Sequence, residues 1–214
     1  MGAITEAARC ARRWRLGVAI AAALAWAGAA EAAATPERRW SVTGFTGISV
    51  DNATLGQTMG EPWSRTLAED TFLGLAGSYQ LVRFRRWFTL DVELGAGARL
   101  GRTDAAEGWT ALYLRFDGFP WRDRLYTSIG VSTGLSVISR LPREERGPPW
   151  DPKPDRSHLL HYFSPEIAIA LPHRRQHELV LRVHHRSGVY GTFNGVRGAS
   201  NAIAIGYRYR LPFH

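Results

Sequence analysis

Apolar and polar residues alternate over most of this sequence, and this alternation limits the folds that the chain can adopt. From Trp40 onward the alternation has a period of two, with almost no helical periodicity, and this is typical of half-buried β-strands. Eight segments follow the pattern: Arg39–Val50, Thr71–Val82, Trp87–Leu100, Trp109–Phe119, Leu125–Ser139, His158–Leu171, Glu178–Tyr190 and Ser200–Phe213. Because no repeat or linker separates them, they predict a single all-β domain.

The connections between these segments alternate in length. Longer polar loops are predicted at 51–70, 101–108, 140–157 and 191–199, with short turns near 85–86, 120–124 and 172–176. Long loops on one side and short turns on the other are typical of bacterial outer-membrane barrels. The sequence therefore predicts an eight-stranded antiparallel outer-membrane β-barrel, closed on itself, with 191–199 as an extracellular loop.

The two faces of each predicted strand differ in chemistry. In the third segment Leu90 and Val92 share an apolar face, while Asp91 and Glu93 lie on the other. A soluble barrel would point the apolar face inward, whereas a membrane barrel points it at lipid and pairs the charges in its lumen. Aromatic residues at strand ends favour the membrane, as interfacial girdles do: Trp87, Trp109, Phe119, Trp121, Tyr162, Tyr190 and Phe213.

The N-terminus has the features of a secretory signal peptide. A basic region of four arginines precedes an apolar run from Leu16 to Ala27, and small residues follow that fit a cleavage site. We predict a signal peptide over residues 1–34 and a barrel domain over 35–214, located in the bacterial outer membrane. The one cysteine, Cys10, lies within the signal, so a disulfide framework and a multi-thiolate zinc site are excluded.

Charge and composition narrow the choice of partners. The formal net charge is +8, and arginine dominates the basic residues, which suits an anionic lipid surface. No positive run is long enough to indicate nucleic acid. We expect membrane association, with no cofactor, no metal and no nucleic acid, and the sequence leaves open whether the barrel is a monomer or a homodimer.

A polar pair on the seventh segment is the best candidate for chemistry. His185 and Ser187 continue the apolar stripe of Leu179, Leu181 and Val183, where an imidazole and a hydroxyl are costly if they face lipid. Residues two apart on one strand face are neighbours, so His185 can activate Ser187 as a nucleophile. Asn201 on the neighbouring last segment has the same phase, and it is the candidate for orienting the imidazole.

These residues carry a resemblance to a known family. His185-Arg186-Ser187, a short glycine-containing loop and a last strand ending Tyr209-Arg210-Leu211-Pro212-Phe213 resemble the PagL-type lipid A 3-O-deacylases over about the last 35 residues. The resemblance implies hydrolysis, without a metal, of an ester-linked 3-hydroxyacyl chain of lipid A, the membrane anchor of lipopolysaccharide. It implies Ser187 as nucleophile and His185 as general base.

The sequence departs from the family pattern at two positions. Asn201 stands where an acidic partner of the histidine is expected, because no acidic residue is present in 198–201. Gly188 follows the serine in place of the family's asparagine, so we expect its backbone N–H to stabilise the oxyanion.

Two other readings remain open at this point. One is a non-catalytic outer-membrane barrel, or a family member that has lost activity, and the missing acid favours it. The other is a soluble periplasmic barrel that binds an apolar ligand.

Overall fold

A computed structural model describes residues 38–51, 53–61, 64, 67–146 and 155–212. The predicted signal peptide and Phe213 lie outside the described residues. The described strands are β1 Trp40–Val50, β2 Leu67–Phe84, β3 Phe88–Leu100, β4 Ala105–Phe116, β5 Tyr126–Ile138, β6 Leu159–Phe163, β7 Glu166–Ala170, β8 His177–Ser187 and β9 Ala199–Arg210. Helix α1 spans Leu55–Gly60, and a short 3-10 helix spans Arg143–Arg146.

The strands form a closed antiparallel barrel. Strands β1 to β5 pair in sequence order, β8 pairs with β9, and β1 pairs with β9 from Ser41↔Arg210 to Val50↔Asn201, which closes the sheet. Strands β6 and β7 both pair with β5 and β8 and are two halves of one strand position. The barrel therefore has eight strand positions, and the predicted fold class is confirmed.

The predicted sixth strand is interrupted at Ser164 and Pro165. Proline has no backbone N–H, so it cannot donate to the sheet ladder. Instead, the Pro165 carbonyl accepts from the Val183 N–H at 3.0 Å, and the Ser164 N–H donates to Ser132 Oγ at 2.8 Å. These two bonds join the halves to both neighbouring strands, so the interruption leaves the barrel closed.

Connection lengths differ from the prediction at two places. Strand β4 begins at Ala105, so the predicted loop 101–108 is a four-residue connection, 101–104, whereas the predicted short turn at 120–124 extends over 117–125. We call the end of the barrel with connections 51–66, 101–104, 139–158 and 188–198 the loop end, and the opposite end the turn end. The loop end carries α1 and the 3-10 helix. In outer-membrane barrels the longer connections lie on the extracellular side.

The apolar faces point outward, as the membrane interpretation predicted. Exposed large apolar side chains occur on most of the strands: Leu73, Leu75, Leu94, Leu112, Leu114, Ile129, Val131, Leu135, Ile167, Leu179, Leu181, Ile205 and Tyr207. The inward residues are buried and largely polar or charged. A soluble barrel needs the opposite arrangement, because its apolar face forms the core. Within the described part of the chain, no helix has the length and hydrophobicity needed to cross a bilayer.

The lumen is filled by cross-strand ion pairs. Glu166 lies 2.7 Å from Arg115 Nε, and it is also 2.7 Å from terminal nitrogens of Arg182 and Arg208. Glu93 accepts both terminal guanidinium N–H groups of Arg182 at 3.0 Å. Because buried charges are tolerated only when paired and hydrogen-bonded, this network fixes the relative positions of distant strands.

A layer of aromatic side chains lies inside the barrel, on the loop-end side of these charges. Two of its members were predicted to belong to an interfacial girdle, and that prediction is wrong for them. Trp109 and Tyr162 are 3% and 0% exposed, and they pack inside the barrel with Phe45 and Phe72. The Trp109 indole N–H donates to Glu93 Oε1 at 2.9 Å. Trp109 was placed at a strand end because β4 was predicted to begin there, but it is the fifth residue of that strand.

Candidate active site

The candidate site lies on the outer surface at the loop end of β8 and β9. His185 and Asn201 are directly opposite each other in the β8–β9 register, and both have the outward phase. His185 Nδ1 lies 2.7 Å from Asn201 Oδ1. A carbonyl oxygen only accepts, so Nδ1 carries the proton in this contact and Nε2 keeps its lone pair. The structure thus brings together two of the residues that the sequence singled out.

Ser187 is the next outward residue of β8. Two strand residues span about 6.5 to 7 Å, so its hydroxyl belongs to the same surface as the His185 ring. Ser187 is partly exposed, whereas His185 is 7% exposed and Asn201 is 1% exposed. The potential nucleophile is therefore accessible, and its two neighbours are shielded from solvent and lipid.

The shield is the connection after β1, which the sequence did not reveal. Helix α1 lies against β8 and β9, and the Asn201 Nδ2–H donates to the Ala53 carbonyl at 2.6 Å. Thr54 caps α1 in a reciprocal capping box with Gln57. The segment 53–60 thus covers the outer face of the barrel beside His185, which explains how an imidazole is tolerated on an otherwise apolar stripe.

Gly188 is packed too tightly for any side chain. A Cβ at this position would lie 1.9 Å from the Val196 carbonyl oxygen, so the chain requires glycine where it leaves β8. The Gly188 N–H donates to the Gly198 carbonyl at 3.2 Å, and the Gly188 carbonyl accepts from Phe193 at 2.9 Å. The N–H expected to stabilise an oxyanion thus has a backbone acceptor in this structure.

A second outward histidine lies beside Ser187, and the sequence did not predict this position for it. His161 on β6 is directly opposite Ser187 in the β6–β8 register, and its Nε2 lies 2.9 Å from Thr133 Oγ1. Its phase was readable from the outward residues Leu159 and Phe163, but its proximity to Ser187 depends on the pairing of β6 with β8.

Just inside the barrel, Glu145 of the 3-10 helix closes the lumen beneath the site. Its Oε1 accepts from Ser200 Oγ at 2.6 Å and lies 2.7 Å from Arg186 Nε. Burial raises the pKa of the Glu145 carboxyl above its ordinary value, while the Arg186 guanidinium acts in the opposite direction. This carboxylate faces the lumen through inward residues of β8 and β9, so it does not replace the acid that Asn201 lacks.

Other features of the described residues do not add to the site. No group of three or more His, Cys, Asp or Glu side chains among them is arranged to hold a metal ion. A shallow depression of about 440 Å³ lies at the loop ends of β3, β4 and β5, lined by Arg99, Asp104 and Arg140 among others. It is open to solvent and does not include Ser187 or its neighbours.

Comparison with solved structures agrees with this architecture. The outer membrane enzyme PagL superimposes with a TM-score of 0.57 at 12% identity, over 80% of this chain and 99% of that chain. Neisserial surface protein A gives a TM-score of 0.49 at 13% identity, over 80% of this chain and 97% of that one. No protein-family model matches the chain, and no curated protein matches it.

At this level of identity the likeness to PagL establishes the fold. Combined with an apolar exterior and a charged, filled lumen, it defines the class of protein. The chain is an eight-stranded β-barrel of the bacterial outer membrane.

Proposed function

We propose that this barrel is an outer-membrane ester hydrolase that removes an ester-linked 3-hydroxyacyl chain from lipid A, with Ser187 as nucleophile and His185 as general base. The observation that carries the proposal is the 2.7 Å contact between His185 Nδ1 and Asn201 Oδ1 beside an accessible serine. A base held in one tautomer next to a hydroxyl is the arrangement that activates a serine.

The proposed reaction follows from that tautomer. His185 Nε2 takes the Ser187 hydroxyl proton as Oγ attacks the ester carbonyl carbon. Collapse of the tetrahedral intermediate expels the sugar oxygen, which takes the proton from His185 and departs as a hydroxyl, while the acyl group remains on Ser187. Water, deprotonated by His185, then releases the fatty acid, so one water is consumed for each ester cleaved.

The location of the pair supports a lipid substrate. Ser187 lies on the outward face at the loop end, where we expect the acyl esters of an outer-leaflet lipid to meet the headgroup region. Exposed Arg140, Arg143 and Arg156 at the same end suit the phosphate groups of lipid A, because guanidinium binds phosphate in a bidentate fork. The resemblance to PagL-type deacylases implies the same substrate.

A non-catalytic barrel is the second candidate, and one observation favours it. The histidine partner is a neutral amide, and Asn201 is also bonded to the Ala53 carbonyl. A carboxylate stabilises the imidazolium that forms during catalysis, whereas an amide does so more weakly. On this reading His185 and Asn201 anchor α1 to the barrel, and their loss loosens the segment 53–60 without changing lipid A.

Mass spectrometry of lipid A separates the two candidates. We expect cells that produce the wild-type protein to lose one hydroxyacyl mass from lipid A, and cells that produce Ser187→Ala at equal outer-membrane levels to keep it. Thr192→Ala, in the exposed loop after β8, is the matched control and retains the loss. Unaltered lipid A with folded wild-type protein would overturn the deacylase proposal.

A further inference from the structure

Ser187 has two imidazole neighbours, and the proposed mechanism uses only one. His185 lies two residues before it on β8, while His161 lies directly across from it on β6. Residues directly opposite in an antiparallel pair have Cβ atoms about 4.5 to 5.5 Å apart. An acyl group bound at Ser187 would therefore be flanked by His185 along the strand and by His161 across it.

His161 is held in place by two contacts. Its Nε2 lies 2.9 Å from Thr133 Oγ1, and its ring centroid lies 5.7 Å from that of Phe193. Thr133 shares the outward phase of Val131 and Leu135, which are exposed apolar residues. A hydroxyl and an imidazole on a lipid-facing surface are costly, and neither of these two contacts reaches the lumenal ion pairs.

The proposed esterase site also lacks an assigned oxyanion donor. The Gly188 N–H donates to Gly198, and the Asn201 amide donates to Ala53. Acyl transfer requires a donor aimed at the oxygen that becomes negative, and loss of one such donor typically lowers kcat about 10²–10³-fold. A donor next to Ser187, on the side away from His185, would meet this need.

We propose that His161 is this donor and that Thr133 fixes its tautomer. In the proposed arrangement the Thr133 hydroxyl donates to Nε2, which leaves the ring proton on Nδ1. When Ser187 Oγ bonds to the ester carbon, the carbonyl electron pair moves to oxygen, and the Nδ1–H donates a hydrogen bond to that oxyanion without transferring its proton. His161 is then a catalytic residue, and Thr133 is its positioning residue.

This inference rests on the proposed esterase activity, and the test is chosen to separate the two. Kinetics of lipid A deacylation are measured with the purified barrel in detergent micelles, and folding of each variant is checked by its heat-modifiable migration on gels. His161→Leu removes the donor, and His161→Gln keeps an N–H donor but cannot act as a base. Thr133→Val removes only the hydroxyl that fixes the tautomer, and Thr133→Ser restores it.

We expect His161→Leu to lower kcat about 10²–10³-fold with little change in KM. His161→Gln should stay within about tenfold of wild type, Thr133→Val should lose about tenfold, and Thr133→Ser should recover most of that loss. A long-chain alkyl boronic acid forms a tetrahedral anionic adduct with Ser187, so its affinity should fall in proportion to kcat/KM across the series.

Matched controls come from the same lipid-facing surface. His177 is an outward histidine at the turn end whose Nδ1 contacts the Tyr207 hydroxyl, and Thr110 is an outward threonine on β4. His177→Leu and Thr110→Val remove the same chemical groups, the first at the opposite end of the barrel and the second three strand positions from Ser187. We expect both to leave kcat, KM and boronate affinity unchanged.

Full activity of folded His161→Leu would overturn the inference while leaving the esterase proposal intact, since Ser187→Ala would still abolish turnover. Equal losses in His161→Gln and His161→Leu would also overturn it, because they indicate a base instead of a donor. If His161→Leu does not fold, Thr133→Val and Thr133→Ser decide the question. A folded wild type without esterase activity would overturn both proposals.

Discussion

Polar side chains occur in two contrasting regions of this barrel, the lumen and the outer patch around Ser187. In the lumen several carboxylates are shared among side chains from different strands, and Glu166 by itself contacts three arginines. In the outer patch the bonds are local, between His185 and Asn201 on adjacent strands and between His161 and Thr133. The lumenal bonds connect opposite walls of the barrel, whereas the patch connects only neighbours.

This contrast indicates which polar residues stabilise the barrel. Removing one member of a buried, shared ion pair leaves unpaired charge far from water. Removing a hydroxyl or an imidazole from the outer patch leaves no unpaired charge. It also replaces a polar group with an apolar one on a surface that faces lipid. Stability should therefore respond mainly to the lumen, and chemistry mainly to the patch.

The largest effect is expected from a matched pair of serines on opposite faces. Ser187→Ala should lower ester hydrolysis by on the order of 10⁴-fold or more, as loss of a nucleophile does, and leave the free energy of unfolding within about 0.5 kcal/mol. Ser136→Ala removes the lumenal hydroxyl that donates to Glu107 at 2.7 Å. It should cost about 1–3 kcal/mol and leave kcat unchanged.

Kinetics in micelles and urea unfolding in lipid vesicles measure the two quantities. Loss of hydrolysis in folded Ser136→Ala, or retained hydrolysis in Ser187→Ala, would contradict the division between lumen and patch.

The next effect concerns the centre of the lumenal network. Glu166→Gln leaves Arg115, Arg182 and Arg208 facing a neutral amide, so the free energy of unfolding should fall by about 3–5 kcal/mol. Asp123→Asn, in the exposed turn after β4, is the control and should change it by less than about 0.5 kcal/mol. Urea unfolding in lipid vesicles measures the free energy of unfolding of both variants. Equally small changes in the two would show that the ion-pair network does not stabilise the barrel.

A third prediction concerns the side chain that orients His185 in the outer patch. Asn201→Asp supplies the carboxylate that the proposed triad lacks, so kcat should rise about tenfold because the imidazolium is stabilised. The same change loses the donor to the Ala53 carbonyl, which should cost about 1–2 kcal/mol of unfolding free energy. Asn201→Leu, whose side chain neither accepts nor donates, serves as the comparison. If Asn201→Asp lowers kcat as much as Asn201→Leu does, Asn201 is not the residue that orients His185.

The smallest effect is a pH dependence at the loop end. Burial raises the pKa of Glu145 above its unfolded value, so the stability contributed by its protonated form is complete below that value and is lost as pH rises through the folded pKa. Arg186, Arg99 and Glu107 also act on this carboxyl. In the wild type, the free energy of unfolding should therefore fall as the pH rises above the ordinary pKa range of a carboxyl group, and in Glu145→Gln this fall should be smaller. Urea unfolding over a series of pH values measures the effect, and identical profiles for the two proteins would contradict the prediction.

Much of the fold could be predicted from the sequence because alternation is a local property. The placement of Asp91 and Glu93 inside and of Leu112 and Leu114 outside follows from the pleat, and the structure confirms it. Trp109 and Tyr162 were assigned to an interfacial girdle because strand ends are less well defined by alternation than strand faces. Both are inward, in phase with the charged residues of their own segments.

The candidate site was predictable in part for the same reason. The shared phase of His185, Ser187 and Asn201 is local, and the loop after β8 sets the register that makes His185 and Asn201 direct partners. His161 could be assigned an outward phase, but its place beside Ser187 depends on a pairing between segments that the sequence leaves unspecified. Helix α1 carries a capping box, yet nothing local indicates that it folds over β8 and β9.

The amino-acid sequence is sufficient to assign the alternation, the apolar face of each strand, and the histidine and serine that interrupt the outward stripe. These properties follow from the two-residue period of the β-strand, which every segment expresses independently. The folded barrel is needed to show which arginine contacts which carboxylate, that segment 53–60 covers His185, and that His161 is opposite Ser187. Those contacts join residues distant in sequence, and they are set by the register in which the strands close the barrel.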